Sequence, residues 1–245
     1  MTELLTVDNL SKRFGGFVAL DEVSLAVNAG ERVGLIGPNG SGKSTLVNCI
    51  CGAMQNEGGT VHFDGRRLDG LLAHQRTRLG LARTFQLPRP FVSVTVAENL
   101  RIPLLYAVNA RPGARLTAAA IDRRCEELLG LVGLAGKESR PPVELTQIEM
   151  RKLELARAMA TEPKLLIADE AMAGLSHSEV AEIVDLLLRL NTEQGITVIL
   201  IEHIMSAVMR FSQRLVVFVS GHKIADGTPA DVVRDPDVER AYLGQ

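Results

Sequence analysis

The sequence predicts an α/β fold: a mostly parallel sheet with helices on both faces, joined to an antiparallel β subdomain and interrupted by an inserted helical subdomain. Three observations predict it. Residues 37–45 read GPNGSGKST directly after a short apolar run, RVGLI at 32–36. From residue 147 onward, helix-like and strand-like segments alternate, the pattern of a parallel sheet whose crossovers are helices. Between residues 87 and 145 the chain turns to proline-punctuated segments of helical periodicity.

Taken in order, residues 4–27 alternate apolar runs with turns at Phe14-Gly15-Gly16 and Asn28-Ala29-Gly30, which predicts a set of short antiparallel strands. Residues 32–36 form a strand, and 46–51 a helix that Thr45 opens. Residues 60–63, followed by Asp64-Gly65, extend the β pattern, and 79–86 read as a further strand. The clearest helix is 117–132, where Ile121, Cys125, Leu128, Leu129 and Val132 fall three and four apart. Helix 147–160, strand 164–168, helix 178–193 and strands 196–201 and 215–220 complete the alternation. The expected organisation is a single nucleotide-binding domain over 1–245. Its catalytic core, with the β subdomain, comes from 1–86 and 146–245, and the helical subdomain from 87–145. No internal repeat or low-complexity segment interrupts it.

The chain of 245 residues is long enough to bury a core without staples. Its 27 basic and 29 acidic side chains nearly cancel, so charge gives no argument for a nucleic-acid partner. Cys49, Cys51 and Cys125 lack metal-ligand spacing and read as free thiols of a reducing cytoplasm. The start lacks the basic and apolar regions of a signal peptide, and no apolar run approaches the ~20 residues of a bilayer span. A soluble, cytoplasmic protein is expected, able to dock on a membrane partner.

GPNGSGKST contains the complete pattern G-x-x-x-x-G-K-[ST], which assigns a phosphate-loop NTPase core. Gly37, Gly40 and Gly42 permit turns that aim successive N–H groups at phosphates. Lys43 reaches the outer phosphates, Ser44 offers its hydroxyl to Mg2+, and the following helix directs its positive end at the same charge. The nucleotide-binding set here is Gly37, Asn39, Gly40, Ser41, Gly42, Lys43, Ser44 and Thr45. Residues 164–170, KLLIADE, are an apolar strand ending in two carboxylates at the sheet edge where ligands bind. Asp169 is expected in the magnesium shell, and Glu170 is placed to orient or deprotonate the attacking water.

RTFQ at 83–86 precedes the insert, LTQIEMRKLELARAM at 145–159 precedes the KLLIADE strand, and His203 follows the next strand. Singly, Gln86 reads equally as a surface amide, Phe14 as a core aromatic and His203 as a helix-start residue. Their joint order resembles the ATP-binding cassette (ABC) family, over essentially the whole chain. The resemblance makes Gln86 the glutamine that senses magnesium and the membrane partner, and His203 the switch histidine on the γ-phosphate. It makes Phe14 the aromatic that stacks on adenine. Residues 145–149, with Thr146, take the place of the signature that one subunit presents to another's nucleotide, and 173–176 that of the D-loop. LSKRFGGFVAL at 10–20, DEAMAGL at 169–175, IEH at 201–203, and KIADGTP and AYLG near the end look like the ATPase subunits of bacterial branched-chain amino-acid importers.

The expected function is an ATP-binding and hydrolysing subunit that energises a permease for small solutes, branched-chain amino acids or related compounds. The expected cofactors are ATP and Mg2+. The expected partners are a second ABC ATPase subunit, in a hetero- or homodimer, transmembrane permease subunits and a solute-binding protein, on the inner face of the cell membrane. Two other readings stand beside it: a partner subunit that binds ATP and hydrolyses little, and a soluble ABC protein outside transport. One departure bears on the choice. The family's signature is commonly Leu-Ser-Gly-Gly-Gln, whereas this chain has Leu145-Thr146-Gln147-Ile148-Glu149. Both glycines are replaced and Glu149 adds a negative charge near phosphate, which is expected to weaken the composite site that this segment completes. Ser176 stands where Asp or Asn is common, and Ile204 where Asp is.

Overall fold

The computed structural model describes residues 2–243. In chain order the strands are β1 (Glu3–Phe14), β2 (Phe17–Asn28), β3 (Arg32–Ile36), β4 (Gly58–Phe63), β5 (Arg66–Arg67), β6 (Leu81–Arg83), β7 (Leu165–Asp169), β8 (Thr197–Ile201), β9 (Arg214–Val219) and β10 (His222–Gly227). The helices are α1 (Lys43–Cys51), α2 (Ala73–Leu79), α3 (Val96–Pro103), α4 (Ala118–Leu131), α5 (Gln147–Met159), α6 (His177–Gln194), α7 (Met205–Phe211), α8 (Pro229–Val232) and α9 (Pro236–Leu243). A π-helical turn, Leu104–Val108, follows Pro103, which lacks the N–H that would continue the α ladder. Of the closing AYLG, Gly244 lies outside the described residues.

The expected set of short N-terminal strands is instead one hairpin of two 12-residue strands. A bulge reconciles the two descriptions. Pairing slips between Val7 and Leu10, Asn9 adopts φ 46, and its N–H donates to Ser24 Oγ at 2.9 Å. One extra residue lets Val7 and Leu10 point to the same apolar face although their spacing is odd. The hairpin joins β4 and β5 in an antiparallel sheet of order β2-β1-β4-β5.

The second sheet runs β10-β9-β3-β8-β7-β6 and is parallel except for β10. Strands β3, β7, β8 and β9 are largely apolar because both faces are covered. Leu165 and Ile167 of β7, and Ile199 and Ile201 of β8, enter the apolar layer shared with α1 and the hairpin. Leu166, Ala168, Val198 and Leu200 enter the opposite layer, with α3 to α7.

The predicted strand 79–86 shrinks to Leu81–Arg83, since Leu79 ends α2 and Gly80 turns the chain at φ 105. Likewise the helix after the phosphate loop begins at Lys43, two residues before Thr45. Among the described residues, 87–145 holds helical segments and no strand, and α4 buries Ile121, Cys125, Leu128 and Leu129 as its periodicity predicts. Burial pushes the Cys49 and Cys125 thiols up to about 11, which keeps both protonated and unreactive near neutrality. No described helix is long and apolar enough to cross a membrane.

Candidate nucleotide site

Four adjacent parallel strands, β3, β8, β7 and β6, deliver the loops of the site to one edge of the sheet, at their carboxyl ends. The loop after β3 is a cradle that side chains would fill. A Cβ at Gly37, whose φ is 152, would lie 2.1 Å from the Phe218 carbonyl oxygen. At Gly42, φ 103, it would lie 2.6 Å from that of Ala19. Substitution at either position is therefore both strained and blocked by backbone. The Gly221 N–H donates to the Ser41 carbonyl at 3.0 Å and ties the loop to the turn before β10.

The α1 N-terminus has Gly42 as its cap, with no side-chain bond and no acidic residue in the first turn. Its leading N–H groups are thus free to face an anion. Lys43 is buried, and its Nζ donates to the carbonyls of Gly37 at 2.8 Å and Pro38 at 2.9 Å, and to Ser41 Oγ at 3.2 Å. Burial lowers its pKa, while Glu170 and Asp169 oppose the shift. A cavity of about 210 Å³ opens over the loop, walled by Phe14 and Phe17 on one side and Glu170 on the other. Asn39, Gly40, Ser41, Gly42, Lys43, Ser44 and Thr45 form its floor. Phe14 and Phe17 pair across the hairpin turn, and both are largely exposed. Sequence reasoning singled out Phe14 and missed Phe17, whose signal was the same aromatic on the other side of Gly15-Gly16.

The other three loops meet at Glu170. Its Oε1 lies 2.9 Å from His203 Nε2, and its Oε2 accepts a hydrogen bond from the Gln86 amide. Glu170 adopts φ 47, a left-handed conformation uncommon for this residue type, with its own N–H bound to the Ile201 carbonyl at 2.9 Å. Strand β7 therefore hands over to a tight turn that aims the carboxylate across the sheet edge. Asp169, one residue earlier, is buried, and its Oδ2 accepts from Arg83 Nη2 at 2.6 Å. Arg83 also donates to Asn48 Oδ1 of α1 at 2.6 Å, bridging two elements of the site. This arginine lay inside the RTFQ motif but carried no assignment. Among the described residues no group of three His, Cys, Asp or Glu could hold a metal ion. The oxygens of Ser44, Gln86 and Asp169 are hard donors that suit Mg2+ only as a partial shell completed by phosphates and water.

Thr146 stands apart from this cluster, at the N-terminus of α5, and does not line the cavity. It forms a reciprocal cap with Glu149: Thr146 Oγ1 accepts the Glu149 N–H at 3.4 Å, and Glu149 Oε2 accepts the Thr146 N–H at 3.0 Å. Glu149 also pairs with Lys137, and that bond holds its carboxyl below the usual range. The extra negative charge that the sequence placed at the signature is therefore neutralised within the chain. Gln147 leans over Gly174, where an added Cβ would come within 2.5 Å of Gln147 Nε2. Ile148 packs against the helical apolar layer. Ser176 caps α6, its hydroxyl accepting from the Glu179 N–H, and Ile204 precedes α7 without a side-chain cap.

Residues 20–173 match the family model described as ABC transporter, and 222–245 one described as branched-chain amino acid ATP-binding cassette transporter. The chain is similar to the high-affinity branched-chain amino acid transport ATP-binding protein LivG of Salmonella typhimurium, 39% identical over 250 residues, covering 99% of this chain and 98% of that protein. It is similar to a solved ATP-binding cassette of an ABC transporter in its ADP conformation, with TM-score 0.88, 33% identity and 100% of both chains covered. A dimeric ATP-binding cassette in a post-hydrolysis state, bound to ADP and Pi, gives TM-score 0.81 at 25% identity, covering 92% of this chain and 98% of that one.

Proposed function

The chain belongs to the ABC transporter family, and we propose that it is the ATP-hydrolysing subunit of an importer for branched-chain amino acids or related compounds. The observation that carries the reading is the convergence of Gln86 and His203 on Glu170, at the mouth of a complete phosphate loop. Binding comes from the loop N–H groups, Lys43 and the α1 N-terminus on the phosphates, with Phe14 or Phe17 against the base. Ser44, Asp169 and Gln86 would hold Mg2+, which when bound offsets charge on the β and γ phosphates. Glu170 orients the attacking water and takes its proton, while His203 and Gln86 fix the carboxylate that does so. Most of the rate comes from positioning and charge neutralisation, since phosphoryl transfer asks for little covalent chemistry.

The chain works on the inner face of the membrane, with a second ATPase subunit, a permease and a solute-binding protein. The similarity to a dimeric cassette supports the pairing. A groove of about 410 Å³, lined by Phe85, Phe91, Pro103, Tyr106, Cys51 and His74, is the surface we assign to the permease. Phe85 is the residue next to Gln86, so a segment seated there reaches the catalytic centre within one peptide unit. The near-neutral charge favours this reading over a nucleic-acid role.

We further assign the chain to a heterodimer. Its own phosphate loop, Asp169, Glu170 and His203 are complete, while Gln147 and Ile148 replace the bare backbone by which a signature approaches another subunit's γ-phosphate. Restoring Gly at both positions is expected to speed hydrolysis at the site this segment completes. The gain should fall short of the hundredfold or more that one lost oxyanion-type donor typically costs (~3 kcal/mol), because Thr146 is retained. The measurement is phosphate release by the transporter carrying Glu170→Gln, so that only the partner's site reports. An unchanged rate removes the signature from that site and the heterodimer assignment with it.

A further inference from the structure

The geometry points to Arg151 as a positioning residue for hydrolysis: its guanidinium bridges the loops that carry Gln86 and Glu170 and holds that pair in register. This inference rests on the hydrolytic reading above and names a residue with no part in it.

Arg151 lies on α5 with 5% of its surface exposed. Its Nη1 donates to the backbone carbonyl of Gln86, and its Nη2 donates to that of Ala173 at 2.9 Å. These two carbonyls belong to different loops, and each loop ends on the same catalytic contact. The Gln86 side chain donates to Glu170, and the Ala173 N–H closes a turn on the Glu170 carbonyl at 3.4 Å. The guanidinium therefore spans the back of a bridge whose front is the Gln86–Glu170 hydrogen bond.

A second buried charge completes the bracket. Glu202, 3% exposed, accepts the N–H of Met172, next to Ala173, through Oε1 at 2.8 Å. The 170–173 turn is thus held at two adjacent residues, Ala173 through its carbonyl by Arg151 and Met172 through its N–H by Glu202. A planar fork with two aligned donors can serve two carbonyls at once, whereas a lysine ammonium on a flexible stem serves them one at a time. Arg151 also lies little more than one turn beyond Thr146, on the same helix.

The test compares Arg151→Lys and Arg151→Met with wild type, each purified in complex with its partner subunits, by steady-state ATP hydrolysis and thermal melting. Misplacement of a reacting group by about 1 Å costs on the order of a hundredfold. The expected result is a kcat lower by about 10- to 100-fold in Arg151→Lys, with KM for ATP within about threefold and a near-unchanged melting temperature. In a Gln86→Ala background the same substitution should cost less than about threefold, because the partner it positions is gone. Should Arg151→Met fail to fold, the lysine variant carries the test, since it keeps the buried positive charge. A kcat within twofold of wild type in Arg151→Lys overturns the proposal, and so does an undiminished effect in Gln86→Ala. Turnover by Glu170→Gln at the wild-type rate would overturn the hydrolytic reading itself. An inactive Glu170→Gln beside an unaffected Arg151→Lys overturns only the role given to Arg151.

Discussion

Lys43→Ala will abolish measurable ATP hydrolysis in the assembled transporter. The ammonium is buried at the base of the loop, where it bonds two carbonyls and a hydroxyl of the loop itself. Its removal takes away the fixed positive charge that the β and γ phosphates meet, in a site whose remaining acidic neighbours, Asp169 and Glu170, repel them. One preorganised donor lost from such a site costs about 10²–10³ in rate, and loss of the loop's internal anchor adds to that. Phosphate release and ATP binding should fall together, with the melting temperature showing that the chain is folded. Activity equal to wild type would sink the phosphate-loop assignment.

Glu170→Gln will separate binding from turnover. The amide has nearly the shape of the carboxylate and keeps one acceptor oxygen for Gln86 or His203, so ATP affinity should stay within a few-fold. It is a poor base, and loss of general-base assistance typically costs about 10²–10⁴. ATP-bound dimer should therefore accumulate, visible as a shift to the larger species by size-exclusion chromatography with ATP. Equal turnover by the two proteins would remove Glu170 from the chemistry.

The phosphate loop was legible because its function is written in one contiguous run, each residue type imposed by backbone geometry or charge. Strands β7 and β8 were legible for a related reason: burial on both faces demands unbroken apolar runs, and their ends placed Glu170 and His203 at one edge. The contact between those two residues and Gln86 was not readable, since it depends on the order β8-β7-β6, which local pattern does not encode. Arg83, Arg151 and Glu202 escaped assignment because their partners are backbone atoms or carboxylates 22 to 86 positions away. The hairpin was misread as several short strands because a bulge at Asn9 inverts the alternation midway. At the signature, composition alone overstated the charge of Glu149, which Lys137 and the α5 cap neutralise.

The central claim is that this chain hydrolyses ATP as a subunit of a membrane complex. It is tested most directly by ATP turnover of the material purified from detergent-solubilised membranes through a tag on this chain, wild type beside Glu170→Gln. The account predicts that integral membrane subunits co-purify and that phosphate release falls by about a hundredfold or more in the variant. Recovery of the chain without any integral membrane protein, or equal phosphate release by both preparations, would contradict it.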